Sequence, residues 1–131
     1  DGGIRLFPRA IEVLEELRGR GHRLGLVTNG SQQEQRGKIE RFDLEGHFEH
    51  IQIEGEFGLG KPHDEAYRHA LERMGAAAER TWFIGDNIEW DVSAPQRHGM
   101  FGVWVDAPGV GLPTGSSHAP DRVIRNIVEL L

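Results

Sequence analysis

A chain of 131 residues, 37% hydrophobic and 27% charged, is long enough to bury one core without staples. Its net charge of −6, with no Lys/Arg cluster, excludes the basic face that nucleic acid or an anionic membrane requires. The absence of cysteine excludes disulfides, thiolate catalysis and Cys-type zinc sites. No apolar stretch approaches the ~20 residues of a membrane span, and no secretory signal pattern opens the chain. The expectation is one cytoplasmic domain over residues 1–131, with Asp1 in place of an initiating Met suggesting a processed or truncated product.

In chain order, Ile11, Leu14 and Leu17 recur at helical spacing after Pro8, and Gly19 and Gly21 end that helix. Leu24–Val27 is a short apolar run, as in a buried parallel strand. Thr28-Asn29-Gly30-Ser31 then forms a turn and cap before a polar helix that ends near Phe42. A weaker strand at Ile51–Ile53 leads into the Gly-rich loop Gly55–Gly60. Asp64 is the expected N-cap of a helix that Gly75 closes. Trp82–Ile84 is a strand that breaks into Gly85-Asp86-Asn87, followed by a helix over Trp90–His98. Phe101–Val105 is a strand of aromatic and β-branched residues. After a Pro/Gly/Ser-rich loop, Arg122–Ile124 is a short edge strand and Asn126–Leu131 a last helix. Trp82, Trp90 and Trp104 are expected in or at the edge of the core. The histidines have no metal-ligand spacing and are read as polar residues of helices and loops.

Strands alternating with helices imply an α/β fold, a Rossmann-like, mostly parallel open sheet with helices on both faces. In such sheets ligands sit beyond the carboxyl ends of the strands, and three motifs fall there. Asp86 and Asp91 offer the oxygen donors that Mg²⁺ prefers, and Gly85 leaves room for an ion; the alternative is a helix cap and a solvated carboxylate. Lys61, set between glycines and a φ-locking Pro62, is a point charge able to neutralise a phosphate, or a solvated loop lysine. Thr28, Asn29 and Gly30 place a hydroxyl and successive N–H groups at a strand-to-helix turn that suits an anion, or form a plain capped turn.

Taken together, strand-Thr28-Asn29-Gly30, then Gly60-Lys61-Pro62, then strand-Gly85-Asp86-Asn87 with Asp91, resemble the second, third and fourth motifs of the haloacid dehalogenase superfamily. The likeness extends through the flanking text, from Leu6–Arg23 to Gly99–Val105. It implies Mg²⁺-dependent hydrolysis of a small phosphate ester through an aspartyl-phosphate, as in phosphoglycolate-phosphatase or nucleotidase-type relatives. Thr28, Asn29 and Gly30 would bind the phosphoryl group, and Lys61 would stabilise charge on nucleophile and phosphate. Asp86 would ligate Mg²⁺, while Asp91 would hold the metal's water shell or Lys61. A dehalogenase is disfavoured because the Gly85-Asp86 motif is intact.

Two departures stand out. Lys61-Pro62-His63-Asp64 replaces the family's Lys-Pro-Asp-Pro. The family's first motif, Asp-x-Asp-Gly-Thr with its nucleophile, has no match, since Asp1-Gly2-Gly3 lacks the strand, the second Asp and the Thr. These residues alone are therefore expected to be inactive, and the rival reading is a non-catalytic phosphate- or protein-binding domain. In the family the nucleophile strand lies between the strands expected at Leu24–Val27 and Trp82–Ile84. Without it those strands should pair directly or recruit a second molecule as a homodimer, in preference to filling the slot with Ile4–Phe7.

Overall fold

The computed structural model describes residues 9–131; Asp1 and Ile4–Phe7, of which expectations were stated above, lie outside the described residues. Helix α1 (Ala10–Gly19) leads to strand β1 (Gly25–Thr28), which passes through a turn into α2 (Gln32–Arg41). Ser31 caps α2, its hydroxyl accepting the Glu34 N–H. Strand β2 (His50–Ile53) runs parallel to β1, pairing Thr28 with Ile53. The Gly-rich loop is more ordered than its composition suggests. It begins as a single helical turn, α3 (Glu54–Phe57), which Gly58 stops in the left-handed region at φ 101°.

Helix α4 (Asp64–Met74) is capped by His63, whose side chain accepts from Glu65 N–H, rather than by Asp64. An imidazole nitrogen is an acceptor too, so the cap moved by one residue. Strands β3 (Trp82–Gly85), β4 (Phe101–Val105) and β5 (Arg122–Ile124) form a second parallel sheet. Between β3 and β4 the expected α-helix begins instead as a π-helical turn, Ile88–Ser93, before the short α5 (Ala94–Arg97). The last segment, Ile127–Leu130, is 3₁₀ rather than α, capped by Asn126 and Glu129 reciprocally.

The architecture is α/β with parallel strands flanked by helices, but among the described residues the sheet is in two parts. β1 pairs with β2, and β3–β4–β5 stand apart. Direct pairing of β1 with β3 is thus not what the chain does. Among the described residues each of these strands keeps one edge without a strand partner. One core gathers Ile39, Leu44 and Ile53, with Leu14 and Leu26 against it; another gathers Tyr67, Ala94 and Met100 with Phe83; a third, Val103, Val105 and Ile124. Trp82 is not a core residue: it stacks on Phe101 with ring centres 4.5 Å apart and is 48% exposed.

Candidate active site

Thr28 ends β1 buried, its hydroxyl donating to the Asn29 carbonyl at 3.2 Å. Asn29 then clamps the backbone of Lys61 from 32 residues away: its amide nitrogen donates to Lys61 O at 2.9 Å and its oxygen accepts Lys61 N–H at 2.8 Å. Both polar ends of that side chain are therefore spent on holding the lysine. The Lys61 side chain crosses 5.7 Å from the centre of the Phe83 ring and donates from Nζ to Asp91 Oδ1 at 2.7 Å. Both members of the pair are close to buried, 10% and 6% exposed. At this depth a lone ammonium or carboxylate is costly, and each charge makes the other tolerable.

Asp91 is aimed by its local fold. Its second oxygen accepts the Asn87 N–H at 3.0 Å, and its own N–H bonds the Asn87 carbonyl. The Asn87 side chain accepts from Trp90 N–H at 2.9 Å, closing the turn. Gly85 is required here, because a Cβ on it would overlap the Asp91 carboxylate. Asp86 follows the end of β3 with an exposed carboxylate that has no hydrogen-bond or ion-pair partner among the described residues; only its carbonyl is engaged, by Trp104 Nε1 at 3.0 Å. Among the described residues no three His, Asp or Glu side chains cluster as a self-sufficient metal cage.

Hydrogen bonds thus bring Asn29, Lys61 and Asp91 together, uniting turns that follow two strands of different sheets. Thr28 sits at the carboxyl end of β1, its hydroxyl bonded only to the Asn29 carbonyl, and Asp86 follows β3 without a side-chain bond to the three among the described residues. The Gly30 amide departs from expectation. Its N–H donates to Glu54 Oε1 at 3.0 Å, so an internal carboxylate already occupies it. Glu54 also lies where a Cβ on Gly60 would come within 2.6 Å of its carboxylate. The sequence reading passed over Glu54; Gly55 and Gly60 were the signal, as glycines mark close backbone approach. Buried Gln35 completes this corner, donating to Asn29 O at 3.0 Å.

A parallel α/β core with a lysine–aspartate pair beside the carboxyl ends of its strands places the chain in the Rossmann-like class of folds. The family model of haloacid dehalogenase-like hydrolases matches residues 2–99, and the chain belongs to that family. It is 38% identical over 126 residues to phosphoserine phosphatase of Thermus thermophilus, a match spanning 95% of this chain and 49% of that protein. It is 37% identical over 100 residues to glyceraldehyde 3-phosphate phosphatase of Methanocaldococcus jannaschii, spanning 76% of this chain and 44% of that one. The HAD-hydrolase YfnB from Bacillus subtilis, solved bound to magnesium, superposes with a TM-score of 0.86 at 28% identity over 96% of this chain and 54% of its own. The chain spans about half the length of the curated relatives it matches.

Proposed function

We propose that this chain carries the phosphate-binding and charge-stabilising part of a phosphohydrolase acting on a small phosphorylated metabolite in the cytoplasm. The observation that supports it most is the Lys61–Asp91 pair, buried and clamped by Asn29 at the strand ends. A fixed ammonium placed before the reaction needs no reorganisation when negative charge develops on a transferring phosphoryl group. Asp91, with both oxygens accepting N–H bonds, serves to hold Lys61 rather than to ligate a metal. Thr28 supplies a buried hydroxyl at the end of β1. Gly30 contributes shape, its amide being committed to Glu54.

Asp86 fits Mg²⁺: an exposed carboxylate without a partner among the described residues is a hard oxygen donor, and the ion is satisfied by one or two carboxylates plus water. When bound, Mg²⁺ would neutralise phosphate charge and orient the ester. The aspartyl-phosphate route requires a nucleophilic Asp, which the motifs in these 131 residues do not supply. The relatives named as phosphatases favour the enzymatic reading over a non-catalytic phosphate-binding domain. The edges of β1 and β3 that have no strand partner among the described residues favour self-association of the chain when nothing else covers them.

The test is aryl-phosphate turnover by the 131-residue chain and by the product of the complete reading frame. The expected result is none from the first and Mg²⁺-dependent turnover from the second, abolished by Asp86→Ala and Lys61→Ala. Inorganic phosphate binding without turnover in either would leave the binding-domain reading standing.

A further inference from the structure

The π-helical turn that carries Asp91 shifts its hydrogen bonds by one residue, so that Ala94 N–H reaches back five residues to the Glu89 carbonyl. On the same pattern the Trp90 carbonyl should receive the N–H of residue 95. That residue is Pro95, which has none. A carbonyl left bare in a packed interior is costly, and the donor comes from outside the turn. Tyr67, on α4 and fully buried, donates its phenolic hydroxyl to the Trp90 carbonyl at 2.6 Å. Its ring is fixed by Phe83 edge-on at 5.5 Å and by His98 at 5.3 Å. Burial, and next the Asp91 carboxylate, push the phenol well above its ordinary range, so it remains a donor.

We propose that Tyr67 is a positioning residue for the Lys61–Asp91 pair, acting through the Trp90 carbonyl to keep the following residue aimed at Lys61. Without the hydroxyl, the Trp90 carbonyl is satisfied within the helix only by taking Ala94 N–H from Glu89, which removes the extra residue from the turn. A one-residue change of register rotates a helical side chain by about 100°, enough to carry the Asp91 carboxylate off Lys61. The inference rests on the proposed function only for the meaning of Lys61, not for the geometry.

The chain has two lysines, Lys38 and Lys61, so each ammonium is separately visible by ¹⁵N NMR. Tyr67→Phe removes one oxygen and keeps the ring. Proton exchange at Lys61 Nζ should then quicken about five- to tenfold, the loss of one net hydrogen bond, with Lys38 unchanged. Asp91→Asn sets the scale of complete loss. The double variant Tyr67→Phe, Pro95→Ala returns an N–H to position 95 and should restore the slow exchange, which a packing defect would not. Val13→Ala, buried elsewhere in α1, controls for lowered stability and should leave Lys61 unaltered. Unchanged exchange in Tyr67→Phe, equal acceleration in Val13→Ala, or no recovery in the double variant would each overturn the proposal. Titration of the wild-type chain with inorganic phosphate tests the other reading separately: an unmoved Lys61 signal counts against the phosphohydrolase, whatever Tyr67 does.

Discussion

β1 and β3 are both four-residue parallel strands, each with a single strand neighbour among the described residues, and each feeds a polar turn that carries site residues. Their surroundings differ. β1 exposes only Gly25 and buries Thr28, its Leu26 lying against the core built on Ile39, Leu44 and Ile53. β3 puts Phe83 into the core beneath α4 and, on the alternating face, leaves Trp82 and Ile84 48% and 36% exposed. One half of the site therefore stands on a covered strand and the other on an open one. The polar bridge from Asn29 through Lys61 to Asp91 spans the two, and its charges are the more sensitive for being shielded from water.

Breaking that bridge should have the largest effect. Asp91→Ala leaves the Lys61 ammonium nearly buried and unpaired, and a loss of about 3–5 kcal/mol is expected in denaturant unfolding. Replacing both partners by apolar residues, Lys61→Met with Asp91→Leu, should recover most of it. On the covered side, Ile53→Ala, at a fully buried position, should cost about 2–5 kcal/mol in the same assay. A cost below that range would mean the first core is looser than its burial implies.

A smaller effect belongs to the rim of the covered half, where Arg36 of α2 grips Glu56 of α3 through bonds of 2.7 and 2.8 Å. The bond from Arg36 holds the Glu56 carboxyl below its ordinary value. Its contribution is therefore complete above that ordinary value and disappears as pH falls through the lower, folded one. With Arg36 38% and Glu56 25% exposed, solvent limits the pair, and Glu56→Gln should cost about 0.2–1 kcal/mol at neutral pH. That difference should vanish once pH has fallen through the lowered, folded-state value of Glu56; persistence in acid would assign it to packing. The open side is told apart by association rather than by stability: Ile84→Ser and Trp82→Ser remove apolar surface that β3 leaves toward solvent. They should therefore reduce self-association in sedimentation velocity. Wild-type protein that sediments as a monomer at high concentration would remove the case for strand-edge pairing.

Much of this was readable from the chain. Phe101–Val105 and Arg122–Ile124 form strands over the expected residues, because β-branched and aromatic runs bounded by turn residues leave little choice. Asp91 in the turn after a strand and Lys61 in a nearby loop were also legible, and so was the option of Asp91 holding Lys61. What escaped were events set by tertiary geometry. Glu54 meets Gly30 across 24 residues, a contact no local pattern encodes. The π-helical turn arises where Pro95 withholds a donor and Tyr67 provides one, and the sequence alone shows the first of these without the second. The division of the sheet was masked for a similar reason, since strand propensity says nothing of which edges find partners.

Gly85 shows how far the electrostatics depends on shape. It carries no charge and makes no side-chain contact, yet the Asp91 carboxylate occupies the space its missing Cβ would fill. Adding one methyl there would change neither net charge nor the inventory of polar atoms, while forcing apart a buried pair of opposite charges that ties one half of the site to the other. A survey of variants that scores only titratable residues would pass over this position. In this fold the address of a charge is written in a hydrogen atom.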